Sequence, residues 1–221
     1  VDAMLVQDLL ELGCEIETIS GGCDCDTHQR RMRTKLISMA MRGFTRVLVE
    51  PSGIFDVDEF FDVLRDDPLD RWYQLGNVIA IVDALLPEQL SPQADYVLAS
   101  ECANAGLVLL SRSQLAKPGQ CEAAVAHLKR ALTACKCSRV FQPEEILVKD
   151  WAALTEADIA RIARCGMRQA SCEKLHFEEH EAFSSAYFLE LGLPRARLER
   201  NIPGLFTDPA CGRVLRVKGF V

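Results

Sequence analysis

Apolar residues fall along the chain in two rhythms. Four short apolar runs stand out, at residues 14–19, 46–50, 77–83 and 106–110. Within them, Val47-Leu48-Val49, Val78-Ile79-Ala80-Ile81-Val82 and Leu107-Val108-Leu109-Leu110 show no alternation with polar residues. A strand with one wet face alternates, whereas a strand covered on both faces does not. These stretches are therefore expected to be strands of a parallel sheet with helices on both sides. Between them the spacing becomes helical. Residues 29–42 place Met32, Leu36, Met39 and Ala40 on one face, 58–64 continue the pattern, and 122–134 repeat it with Val125, Leu128 and Leu132. Strands alternating with helices predict an α/β fold with right-handed crossovers. In such sheets ligands bind beyond the carboxyl ends of the strands.

The pattern changes further on. Residues 141–159 read as a connector, and Thr155 is a fitting N-cap for a short helix ending near Cys165. Residues 182–191 and 213–221 read as strands with a helical stretch at 194–201 between them. The expected organisation is an α/β domain over 1–150, a linker helix over 151–166 and a smaller α+β domain over 167–221. The chain shows no internal repeat and no low-complexity segment.

Composition narrows the partners. Hydrophobic residues make up 49% of the 221 and charged residues 26%, enough apolar surface to offset the entropy of ordering. With 25 Lys+Arg against 32 Asp+Glu the net charge is -7. An acidic surface repels phosphate backbones, so nucleic acid is not an expected partner. The longest apolar run, 78–86, is broken by Asp83 and is too short to span a bilayer, so no membrane partner is expected. No basic start leads into an apolar stretch, and a cytoplasmic location is expected. The ten cysteines are then expected to be reduced thiols. Cys14, Cys102 and Cys165 lie in apolar contexts and are expected to pack as small buried side chains. Cys23-Asp24-Cys25 and Cys135-Lys136-Cys137 differ, because two thiols one residue apart can reach one soft metal ion.

Three constellations carry chemistry. Glu50-Pro51-Ser52-Gly53 follows an expected strand. An acid at such a strand end is placed to hold Mg2+ through water, and a glycine three residues on lets a backbone N–H approach a phosphate. The alternative is an ordinary strand-to-helix turn. Gly21-Gly22-Cys23-Asp24-Cys25-Asp26 follows another strand, and two thiols with Asp26 could ligate Zn2+. Cys172, His176 and His180 recur every four residues, which on a helix would give one metal-binding face. A solvated acidic segment with Glu173, Glu178, Glu179 and Glu181 is the competing reading there.

In order along the chain these segments resemble the CobW-like branch of P-loop GTPases, relatives of the UreG and HypB metallochaperones. Gly22-Cys23-Asp24-Cys25-Asp26-Thr27 resembles the family's Gly-Cys-x-Cys-Cys-Thr metal motif, with Asp26 in place of the third cysteine. Glu50-Pro51-Ser52-Gly53 resembles its Walker-B segment, and 78–84 resembles the next strand, which ends in Val-Asp-Ala. Ser111-Arg112-Ser113-Gln114 falls where the guanine-reading Asn-Lys-x-Asp lies, with Gln114 replacing the Asp. Phe183-Ser184-Ser185 and Arg216-Val217-Lys218-Gly219 resemble segments of the C-terminal domain.

The resemblance implies a GTPase that couples hydrolysis to delivery of a metal, zinc first, to a metalloprotein client. Glu50 and Gly53 would serve catalysis, Glu50 through water-held Mg2+ and Gly53 by sensing the γ-phosphate. Ser52, Ser111, Arg112 and Gln114 would contact GTP, and Cys23, Cys25 and Asp26 would hold Zn2+. Cys172, His176 and His180 form a lesser metal candidate, and homo-oligomerisation stays open. No Gly-x-x-x-x-Gly-Lys-Ser/Thr occurs in the 221 residues. In the family that loop precedes the segment that Val1-Asp2 resembles, so these residues alone are expected to hydrolyse no GTP. Two other readings stay open: a metal carrier that works without nucleotide, and an iron–sulfur or thiol-redox protein.

Overall fold

A computed structural model describes residues 2–19, 25–51, 57–170, 172–173, 192–212, 214 and 217, with backbone alone at 2, 25 and 26. In chain order the helices are α1 (Asp2–Leu5), α2 (Cys25–Met41), α3 (Val57–Arg65), α4 (Leu69–Trp72), α5 (Pro92–Ala103), α6 (Gln120–Ala134), α7 (Glu156–Ile162) and α8 (Arg195–Leu205). The strands are β1 (Ile79–Asp83), β2 (Leu107–Ser111) and β3 (Ile146–Val148). The chain forms two compact units, Leu36–Ser184 and Val1–Lys35 with Ser185–Val221.

The larger unit is built on a parallel sheet of order β1-β2-β3. Ile79 pairs with Leu107 and Asp83 with Ser111, while Val108 pairs with Ile146 and Leu110 with Val148. Each crossover carries a helix, α5 between β1 and β2 and α6 between β2 and β3. This is an α/β fold of the P-loop NTPase type. Both crossover helices pack on one face of the sheet. Ala80, Val82, Val108 and Leu110 meet Ala99 and Cys102 of α5 and Leu128 and Leu132 of α6 in one buried cluster. On the other face Leu107, Leu109 and Leu147 are covered by Leu154, Ile162 and Cys165.

Local chemistry sets the helix ends. Ser91 caps α5 by accepting from the Ala94 N–H at 3.2 Å, with Pro92 in the first turn, where its missing N–H costs nothing. Thr155 and Asp158 form a capping box on α7, and Lys149 Nζ reaches Asp158 Oδ2 at 2.5 Å. The loop after α7 is tied to the start of β1. Asn77 Nδ2 donates to the Ala163 carbonyl at 2.7 Å, and the Gly166 N–H donates to Asn77 Oδ1 at 2.8 Å.

The structure corrects several expectations. Among the described residues, 14–19 and 46–50 form no strand. An apolar run becomes a strand only when a neighbouring edge takes up its N–H and C=O groups, and Leu48 is 89% exposed instead. β1 is covered on one face only: Ala80 and Val82 are buried, but Ile79 and Ile81 are exposed. Among the described strands, β2 alone is buried along both faces. Cys14 is exposed rather than packed, whereas Cys102 is buried as expected. The connector 141–159 contains β3, and α5 was not expected at all. The linker helix ends at Ile162, and the helix expected at 194–201 runs to Leu205 as α8. The strand expected at 182–191 lies outside the described residues, as does most of that at 213–221.

The smaller unit contains α1, a 3-10 helix at Gln7–Leu12, the first part of α2, and α8. Gly13, at φ 77°, ends the 3-10 helix in the left-handed conformation that glycine adopts without strain. Lys35 Nζ pairs with Glu17 Oε2 at 2.6 Å within it.

Candidate functional site

β1 and β2 end side by side at Asp83 and Ser111, where the chain leaves the sheet. The Ala84 N–H donates to the Ser111 carbonyl at 2.9 Å, extending the ladder by one bond. Ser111 Oγ donates back to the Val82 carbonyl at 3.3 Å. One oxygen of Asp83 accepts from the Leu85 N–H at 2.9 Å and from Arg112 Nε at 2.9 Å, and the other meets Arg112 Nη2. A planar guanidinium across a carboxylate is a two-point contact that fixes orientation as well as charge. The hydrogen bond to Asp83 holds the Arg112 guanidinium still more firmly in its charged form. Arg112 takes φ 57°, in the left-handed region that few non-glycine residues occupy. A 3-10 turn, Ser113–Leu115, follows and leaves Gln114 exposed.

Three of the expected nucleotide contacts, Ser111, Arg112 and Gln114, thus lie at the carboxyl end of β2. Ser111 is engaged with backbone and Arg112 with Asp83, while the exposed Gln114 amide offers one acceptor and one donor group. Asp83 was not singled out from the sequence as a site residue. The signal available was its position, an acid closing an apolar strand.

Glu50 lies outside any helix or strand and is exposed. One solvent-reached carboxylate fits Mg2+, which keeps most of its waters and takes few protein oxygens. Ser52 and Gly53 lie outside the described residues, as do Cys23, His176 and His180. Cys25 and Asp26 open α2, and the positive end of a helix favours negative charge there. Cys25 and Asp26 belong to one compact unit and Glu50 to the other. The two segments were expected at strand ends of one sheet, and neither 14–19 nor 46–50 joins the sheet among the described residues.

Cys172 is half-buried and lines a water-sized cleft with Asp58, Tyr96, Ser100 and Asn104. Among the described residues no group of three His, Cys, Asp or Glu side chains is arranged to hold a metal ion. No helix among them is long and apolar enough to cross a membrane.

Residues 1–140 match the family model of the CobW/HypB/UreG nucleotide-binding domain. Comparison with curated proteins and with solved structures returns no match. The matched span covers well over half of the chain and contains β1, β2 and the Asp83–Arg112 pair. A family match of that extent, on a parallel α/β sheet, places this chain in the CobW/HypB/UreG family of P-loop GTPase-type metallochaperones.

Proposed function

We propose that this protein couples GTP hydrolysis to the delivery of a metal ion, zinc first, to a metalloprotein client in the cytoplasm. The observation that carries the reading is the family match over residues 1–140, a family whose members generally hydrolyse GTP and handle metals. The neighbouring strand ends at Asp83 and Ser111 support it, because they set Ser111, Arg112 and Gln114 together where α/β sheets take ligands. In this reading those three residues and Ser52 contact the nucleotide. Gly53 presents its N–H to the γ-phosphate. Glu50 holds Mg2+ through water, and the ion supplies charge neutralisation on the phosphate oxygens.

Cys23, Cys25 and Asp26 hold the zinc cargo. Replacing one thiolate of a three-thiol set by a carboxylate makes the site harder and weakens its grip on soft metals, which suits an ion that has to be handed on. Cys172, with His176 and His180, is the second-ranked zinc candidate.

The test is the zinc content of the 221-residue chain after dialysis against a competing chelator. Wild type is expected to retain one tight zinc per chain, and a Cys23→Ser/Cys25→Ser double variant to lose it. Unchanged stoichiometry in the variant would overturn the metal assignment. The second reading is a carrier that needs no nucleotide, which a chain without Gly-x-x-x-x-Gly-Lys-Ser/Thr would permit. Zinc affinity that is identical with and without GTP in a GTP-binding form of the protein would select that carrier.

A further inference from the structure

Helix α6 buries Ala124, Leu128, Ala131 and Leu132 in the core cluster. On another side of the same helix Glu122, Ala126 and Lys129 follow one another at i, i+4 and i+7, a line along one face. All three are exposed. With Cys121, Val125 and Val148 they line an open, mainly apolar groove of about 340 Å3, formed by α6 and the last residue of β3. Cys121 and Val125 make its inner wall, since both also pack against the core cluster. Val148 is 46% exposed. β3 closes the sheet order β1-β2-β3, so its outer edge pairs with no other described strand. An open strand edge beside an apolar groove is a surface suited to association.

The charges say what associates. The groove carries one acid, Glu122 in the first turn of α6, and one base, Lys129, seven residues on. No ion pair among the described residues uses either of them. Seven residues of α-helix rise about 10 Å, so the two charges stand at opposite ends of the groove. Their midpoint falls between Val125 and Ala126, in its apolar middle. A two-fold axis through that midpoint, perpendicular to α6, sets a second α6 antiparallel to the first. Glu122 of each copy then faces Lys129 of the other, and Val125 faces Ala126. Parallel packing would instead oppose Glu122 to Glu122 and Lys129 to Lys129. A patch that complements itself under a two-fold rotation is what an isologous dimer requires. The small Ala126 at the centre lets the two helices approach to about 8 Å.

We propose that the groove on α6 is covered by a second copy of this chain, packed α6 against antiparallel α6 as a two-fold homodimer. Val125, Ala126 and Val148 supply the apolar contact, and two Glu122–Lys129 pairs set the orientation. The affinity comes mainly from the apolar contact, because ion pairs at an exposed rim add little. One helix face and one strand end make an interface at the small end of the usual range, which places the dimer in the micromolar class. None of the groove residues belongs to the nucleotide or zinc sets, so the test needs neither ligand.

Sedimentation velocity of the 221-residue chain reads the association directly. Reductant and a chelator are present, so that neither disulfides nor a shared metal can join two chains. Wild type is expected to pass from monomer to dimer over roughly 1–100 µM. Glu122→Lys sets like charges together at both contacts, and so does Lys129→Glu. Each is expected to shift the midpoint upward by about tenfold or more. Mixed in equal amounts, the two variants regain two opposite-charge pairs and are expected to form a heterodimer at the wild-type midpoint. That rescue also shows that both variants fold. The double variant Glu122→Lys/Lys129→Glu is expected to dimerise with itself as wild type does. A wild type that stays monomeric up to about 100 µM would overturn the proposal. So would a dimer that both single variants leave intact, or single variants that stay monomeric when mixed. Association seen only when the chelator is left out would assign the contact to a metal and sink it as well.

Discussion

Glu101 shows how one side chain of α5 reports its surroundings. Burial raises its carboxyl from 4.5 to about 7. The unfolded chain releases this proton near the lower value, while the folded chain keeps it until the higher one. Glu101 therefore contributes stability that is full below 4.5, falls as pH rises, and is gone above about 7. The total is on the order of 3 kcal/mol, at about 1.4 kcal/mol per pKa unit. A Glu101→Gln variant is expected to lose less melting temperature than wild type between pH 5 and pH 8, as read by circular dichroism. An equal loss in both would remove Glu101 as the cause. Nothing in the sequence marked this residue, because its shift comes from what covers it. The same holds for the positive φ of Arg112 and Lys136, since neither residue type asks for that conformation. The buried, unreactive character of Cys102 was legible, as an apolar neighbourhood makes a thiol a small core residue.

Elements depend on partners, and the start of β2 is the clearest case. The Gly106 N–H donates to the Val78 carbonyl at 2.8 Å, and the Val78 N–H donates to the Gly166 carbonyl at 2.9 Å. A Cβ at Gly106 would stand 2.4 Å from the Cys165 carbonyl oxygen and closer still to that of Gly166. Both are backbone atoms and cannot swing aside. Gly106→Ala is expected to cost about 3 kcal/mol, the upper end of ordinary overpacking, measured by urea unfolding. A loss under about 0.5 kcal/mol, the scale of a surface change, would show that the loop after α7 yields. One cap was legible at this scale: Thr155 announces the start of α7, and the structure adds Asp158 as its partner. Helix α5 was not, since its buried positions are mostly alanine and cysteine and give no large apolar stripe. The run at 46–50 has the composition of a strand, but composition cannot supply the edge that a ladder needs.

For the whole molecule, the nucleotide chemistry hangs on a loop that the 221 residues do not contain. The 221 residues hold no Gly-x-x-x-x-Gly-Lys-Ser/Thr, the loop whose backbone N–H groups cradle a β-phosphate. These residues are expected to release no phosphate from GTP above the buffer rate in a malachite-green assay. Robust turnover would show that phosphate binding is built from other groups here. Family membership was readable from the order and spacing of short motifs, because each motif carries its own chemistry in a few consecutive residues. The parallel α/β class was readable as well, because continuous apolar runs separated by helical spacing admit few other arrangements. Tertiary structure decided the rest. It chose which apolar runs became strands, set Asp83 against Arg112 across two strand ends, and brought Glu173 to the Cys135 carbonyl. Those contacts join residues far apart in the chain, and local patterns carry no record of which distant groups will meet.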